Sequence, residues 1–146
     1  ESAHHTLVLS PGSAPVLAQW IATPGPVELV GEEWDGNAEV TAALIAHHQT
    51  AEVLLPASLS PWDRQAVNQL VAAGVQVRTL TAPYVHAKVA ITSQGVFVGS
   101  ENWTTTSMDL NREVGIIVTS PTVQRVAQQW FRAWWQKAQP WRGPTP

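Results

Sequence analysis

The chain has no cysteine, which excludes disulfides, thiolate metal sites and cysteine nucleophiles. Basic residues are also few. Eight Lys and Arg stand against eleven Asp and Glu, a formal net charge of -3, so no broad cationic surface exists to grip nucleic acid through counterion release, although local patches are open. No apolar run approaches the roughly 20 residues of a membrane-spanning helix, and the first residues carry no basic-then-apolar pattern. The compartment stays open, since exported and cytoplasmic proteins both fit this composition. Tyr and Phe are scarce, at one and two, whereas Trp occurs eight times, so aromatic surface is concentrated in the residue best at filling large gaps. The 146 residues suit one compact domain, read here as residues 1–139 followed by a Pro/Gly-rich tail or linker over 140–146.

Apolar periodicity predicts strands at residues 6–10, 27–30, 52–55 and 75–80, alternating with helices at about 13–21, 37–48 and 60–73. Ser60 is placed as an N-cap, with Pro61 at the first helical position and Asp63 completing a capping box, and Gly74 supplies a left-handed stop. That alternation is the pattern of a largely parallel sheet covered on both faces. It then changes to short strands at 86–92, 95–99 and 113–119, which predicts a mixed sheet sandwiched between helices, an α/β fold. Pro121 opens a last helix whose Val123, Val126, Ala127, Trp130, Phe131 and Trp134 form a wide apolar stripe, read as core.

The chemically informative residues are His86-Ala87-Lys88, then Gly99-Ser100-Glu101-Asn102-Trp103-Thr104, then Asn111-Arg112-Glu113. On a strand, alternate side chains share a face, which sets the His86 imidazole beside the Lys88 ammonium. Gly99 and Ser100 are small enough to let backbone amides approach an anionic oxygen, and Asn102 adds a side-chain donor. Glu113 could accept a proton from one imidazole nitrogen and so leave the other free to attack. Such a set suits a phosphodiester, whose negative charge grows in the transition state and is best stabilised by fixed donors and a cation. His-x-Lys alone is a chance occurrence in many proteins; the ordered combination is far more specific.

With these residues in this order the chain resembles the phospholipase D superfamily, whose hallmark is His-x-Lys with an Asp five residues on, then Gly-Ser-x-Asn and a downstream Glu. The string Asn111-Arg112-Glu113-Val114-Gly115 is similar to its bacterial two-motif members. Ser93 stands where the hallmark has Asp, a residue that in the family mainly gives structural and electrostatic support. The resemblance implies metal-independent, cofactor-free transfer in two steps. His86 would be the nucleophile, forming a phosphohistidine, with Lys88, Ser100 and Asn102 on the phosphate and Glu113 in the catalytic set. It also implies a second motif copy, from a homodimer mate or from the missing half of a longer protein; Glu1 and the Pro-rich end favour the longer protein. Lipid headgroup diesters are the preferred substrate class, nucleic-acid diesters the alternative, and a non-catalytic supporting half the third option.

Blander readings compete at several positions. Trp103 and Trp34 are candidate walls of the pocket, or else Trp103 supports the hairpin. Glu32-Glu33-Trp34-Asp35 either lines the pocket mouth or is a solvated acidic loop. His4-His5 and His47-His48 are read as surface residues, because adjacent helical side chains diverge by about 100° and cannot easily share an ion.

Overall fold

The computed structural model describes residues 4–143. The chain runs β1 (His4–Leu9), α1 (Ala14–Ile21), β2 (Val27–Val30), α2 (Ala38–Ala46), β3 (Ala51–Pro56), α3 (Pro61–Ala72), β4 (Gln76–Leu80), β5 (Val89–Thr92), β6 (Gly95–Gly99), a π-helical turn (Thr106–Leu110), β7 (Val114–Thr119), α4 (Pro121–Trp135) and β8 (Gln139–Pro140). All strands join one sheet in the order β1-β7-β6-β5-β2-β3-β4-β8. Only β2, β3 and β4 run parallel to one another, and the remaining pairings are antiparallel, so the expected mixed sheet is found.

The period of two along each strand divides the apolar residues between two cores. Leu29, Val53, Leu55, Ala90 and Phe97 meet α1, α2 and α3 on one face. Val30, Leu54, Ile91 and Val96 meet Phe131 and Trp135 of α4 on the other. The helix signals are used as their chemistry requires. The Ser60 hydroxyl accepts from the Asp63 amide at 3.1 Å, and Asn37 caps α2 through the amides of Glu39 and Val40.

Three expectations need correction. Residues 86–88 precede the strand, which begins at Val89. The α4 stripe is not uniformly core: Phe131 and Trp135 are buried, but Val123, Val126 and Trp130 are exposed, because one helix cannot cover an eight-stranded sheet. Residues 140–143 are no free tail. Gln139 and Pro140 pair with β4, and the Trp141 indole lies against Arg64 and donates to Asn68 at 2.8 Å, an apolar body with a polar tip. Residues 1–3 and 144–146, including Glu1 and the last prolines, lie outside the described residues. Among the described residues no helix is long and apolar enough to cross a membrane.

Candidate active site

His86 and Lys88 arrive from the end of the β4–β5 connection, where the chain enters the middle of the sheet. The Lys88 side chain is only 8% exposed, and a buried ammonium is costly unless it is paired. Its Nζ donates to the His86 carbonyl at 2.8 Å and to Glu32 Oε1 at 3.2 Å, and lies 3.3 Å from Nε2 and 3.4 Å from Nδ1 of the His86 ring. The expected imidazole–ammonium pair therefore forms, even though the segment is not a strand. The His86 side chain is 74% exposed and stands over a cleft of 420 Å³ shared with Lys88, Val98, Gly99 and Ser100.

The carboxylate against the ring is Glu32, whose Oε1 lies 3.5 Å from His86 Nε2. Its Oε2 accepts from the Tyr84 hydroxyl at 2.9 Å. Burial pushes the Glu32 carboxyl up, but the bonds from Tyr84 and Lys88 outweigh it and hold the group below the usual range. Glu32 follows β2 at the carboxyl end of a parallel strand, beside the topological break where β2 meets antiparallel β5. The acidic run after a short apolar strand was the signal available in sequence; the pairing of its first residue with Lys88 was not readable.

Glu113 occupies a different place from the one expected. It accepts from Ser100 Oγ at 3.0 Å, Ser107 Oγ at 2.7 Å and Asn111 Nδ2 at 3.4 Å, and these bonds, Ser107's first, hold its carboxyl below the usual range against the opposing effect of burial. Ser100 thus links Glu113 to the cleft that it lines. The amides of Gly99 and Ser100 do not face an anion: they donate to the carbonyls of Lys88 and Val114. The small size of Gly99 serves packing instead, since a Cβ there would stand 2.5 Å from Glu101 Oε1 and 2.7 Å from the Gly115 Cα. Asn102 donates its backbone N–H to Ser107 at 2.8 Å, while its Oδ1 is buried without a partner. Glu101, passed over in the sequence, is wholly buried, and burial pushes its carboxyl up.

The two tryptophans proposed as pocket walls are core. Trp34 and Trp103 are 1% and 0% exposed and bridge through their backbones. Trp103 donates from its indole to the Val30 carbonyl at 2.9 Å and meets Phe97 edge to face, so it fixes the turn after β6 to the end of β2. Gly31 makes room for it, as a Cβ there would fall 2.5 Å from Trp103 Cδ1. The tryptophans beside His86 are instead Trp130 and Trp134 of α4. With Tyr84, Leu54 and Leu80 they enclose an apolar groove of 280 Å³ that also touches His86 and Ala87. Ser93, in place of the hallmark Asp, donates to the Pro24 carbonyl at 2.8 Å and ties the β5–β6 turn to the loop before β2.

The fold resembles several solved structures at low identity. A phospholipase D family member, Nuc from Salmonella typhimurium, matches with a TM-score of 0.85 at 20% identity, covering 97% of this chain and 100% of that one. NucT from Helicobacter pylori matches at 0.81 and 14% identity, with 96% and 100% covered. Phosphatidylserine synthase from Haemophilus influenzae matches at 0.70 and 11% identity over 97% of this chain and 40% of that one. No curated protein sequence matches. The family model described as "Cardiolipin synthase, PLD-like domain" matches residues 34–135, most of the chain and all of the motif residues from His86 to Glu113. On that match, joined to the sheet and cleft just described, the chain belongs to the phospholipase D-like family.

Proposed function

We propose that the domain cleaves or transfers phosphodiesters through His86, without a metal. The observation that carries this reading is an exposed imidazole whose nitrogens lie within 3.4 Å of a buried ammonium, over an open cleft edged by Ser100. In the first step an imidazole nitrogen attacks phosphorus, a P–N bond forms, and the P–O bond to the leaving group breaks. The departing oxygen takes a proton from the histidine of a second motif copy. In the second step that histidine removes a proton from water or an alcohol, which attacks phosphorus while the P–N bond breaks. Lys88 and the Ser100 hydroxyl counter the charge that builds on the non-bridging oxygens, and Asn102 is kept as a further donor. Glu32 takes the place beside the ring first given to Glu113. Glu113 acts on the cleft through Ser100.

Support for a second copy comes from the surface beside the cleft. Leu7, Leu9, Val98 and Val114 share the sheet face on which α4 packs, and all four are exposed, a patch suited to another copy of this fold. Lipid headgroup diesters are the preferred substrate, by hydrolysis or phosphatidyl transfer, because a net charge of -3 offers little to a nucleic-acid backbone. Nucleic-acid diesters are the second reading, to which the fold likeness to TrmBL2, an archaeal chromatin protein described as having a novel mode of DNA binding, lends support at a TM-score of 0.62 and 14% identity. The third, a supporting half, is motivated by Ser93.

Turnover of phosphatidylglycerol and phosphatidylcholine vesicles, and of single- and double-stranded DNA, tests these readings when run with and without EDTA. Lipid turnover unaffected by the chelator is the expected result. Activity lost with EDTA contradicts the metal-free route, and turnover of DNA alone moves the assignment to nucleic acid.

A further inference from the structure

The groove beneath α4 is unusual in what it lacks. Its lining is almost wholly apolar, and its polar side chains are His86 and Tyr84, whose hydroxyl already donates to Glu32. The floor is made by Val30, Leu54 and Leu80 at the ends of the parallel strands, and the walls by Tyr84, Trp130 and Trp134. Trp130 is left 40% exposed, a large indole surface held open to water beside the nucleophile. The groove and the anion cleft meet at His86 and Ala87, which line both. A diester with its phosphorus at His86 therefore has one substituent at the groove's mouth.

The chemistry of the lining selects among substituents. A nucleobase has donors and acceptors around its edge, and burying them against Val, Leu and indole carbon leaves them unpaired and costs their desolvation. A hydrocarbon chain has nothing to leave unpaired and gains with each methylene removed from water. We infer that the groove is a subsite for one acyl or alkyl chain of the diester substrate, with Trp130 and Trp134 as its specificity-determining walls. This rests on the phosphodiesterase reading and sharpens its lipid preference.

Two measurements test it together. Tryptophan fluorescence is titrated with ethyl, butyl and octyl phosphate below their micelle-forming concentrations, and with thymidine monophosphate. In parallel, p-nitrophenolate release is followed from the p-nitrophenyl esters of the same four phosphates. Affinity and kcat/KM should rise about fourfold per added methylene until the groove is full, and exceed the thymidine compound at octyl. In Trp130→Ala and Trp134→Ala the octyl values should fall towards the ethyl values. Trp130 is exposed and Trp134 half-buried, and circular dichroism checks that each variant is folded; the chain-length slope of the unaltered protein needs no variant at all. Equal binding of ethyl and octyl phosphate, or a preference for the thymidine compound, overturns the subsite. Chain-length-dependent binding with no release from any ester instead leaves the subsite standing and overturns the phosphodiesterase reading.

Discussion

On the face packed by α1, α2 and α3, Trp34 and Trp103 are shut away and Trp20 gives its indole N–H to the Ala90 carbonyl at 3.0 Å. On the face packed by α4 alone, Trp130 is exposed and, with Trp134, lines a groove that reaches His86. One residue type thus does two jobs according to how many helices cover it. Three helices over one face of the sheet leave tryptophan to fasten loops through its volume and its N–H. One helix over the other face leaves apolar surface open beside the cleft, on α4 and on β1, β6 and β7. The site lies at the boundary between the two regimes: Trp103 and Gly31 anchor its rear, while His86 stands at the open edge.

This contrast is broken most severely on the open side by His86→Ala. Turnover should fall roughly 10²–10⁴-fold while the melting temperature stays put, since the ring is exposed. On the closed side Trp103→Ala should do the reverse, costing about 3–5 kcal/mol in denaturant unfolding, with the remaining folded fraction still turning over. A melting temperature as sensitive to His86 as to Trp103 would erase the distinction. Lys88→Met sits between them. It removes the cation from the cleft and strips Glu32 of its ion pair, so kcat/KM should drop and stability should fall by about 1–3 kcal/mol, readable from paired kinetics and urea titrations.

The smallest effects are in pH dependence, where the two glutamates around Gly99 should oppose each other. Glu113 has a folded pKa below its unfolded value, so its stabilisation is complete above the unfolded pKa and is lost as pH falls through the depressed one. Glu101 has a raised folded pKa, so its contribution is full below the unfolded pKa and is lost as pH rises through the raised one. Glu101→Gln should therefore raise the melting temperature more at pH 8 than at pH 4, and Glu113→Gln should lower it at pH 8 but hardly below pH 3. Parallel pH profiles for the two variants would contradict these opposite environments.

Much of the fold was legible because its signals are local: the short apolar runs at 27–30 and 52–55, the Ser60–Asp63 cap, the stop at Gly74. The His86–Lys88 pairing was legible through spacing and family resemblance. What could not be read depends on tertiary coverage. An apolar stripe at 3.6-residue spacing looks the same whether its partner surface is wide or narrow, so the exposure of Trp130 on α4 was hidden. A carboxylate 54 residues before His86 carries no spacing relation to it, so Glu32 could only be found in space, whereas Glu113 was singled out by its order after the Gly99–Asn102 string. Pro140 and Trp141 looked like a tail because β8 pairs only with β4, from far back in the chain.

Catalysis through His86 requires a covalent bond from its ring to phosphorus. It is tested most directly by mass spectrometry of the protein quenched in base during turnover of p-nitrophenyl ethyl phosphate in EDTA. An ethylphosphoryl adduct is expected on the peptide containing His86, absent from His86→Ala. Turnover by His86→Ala at the rate of the unaltered protein, or an adduct on another residue, would overturn it.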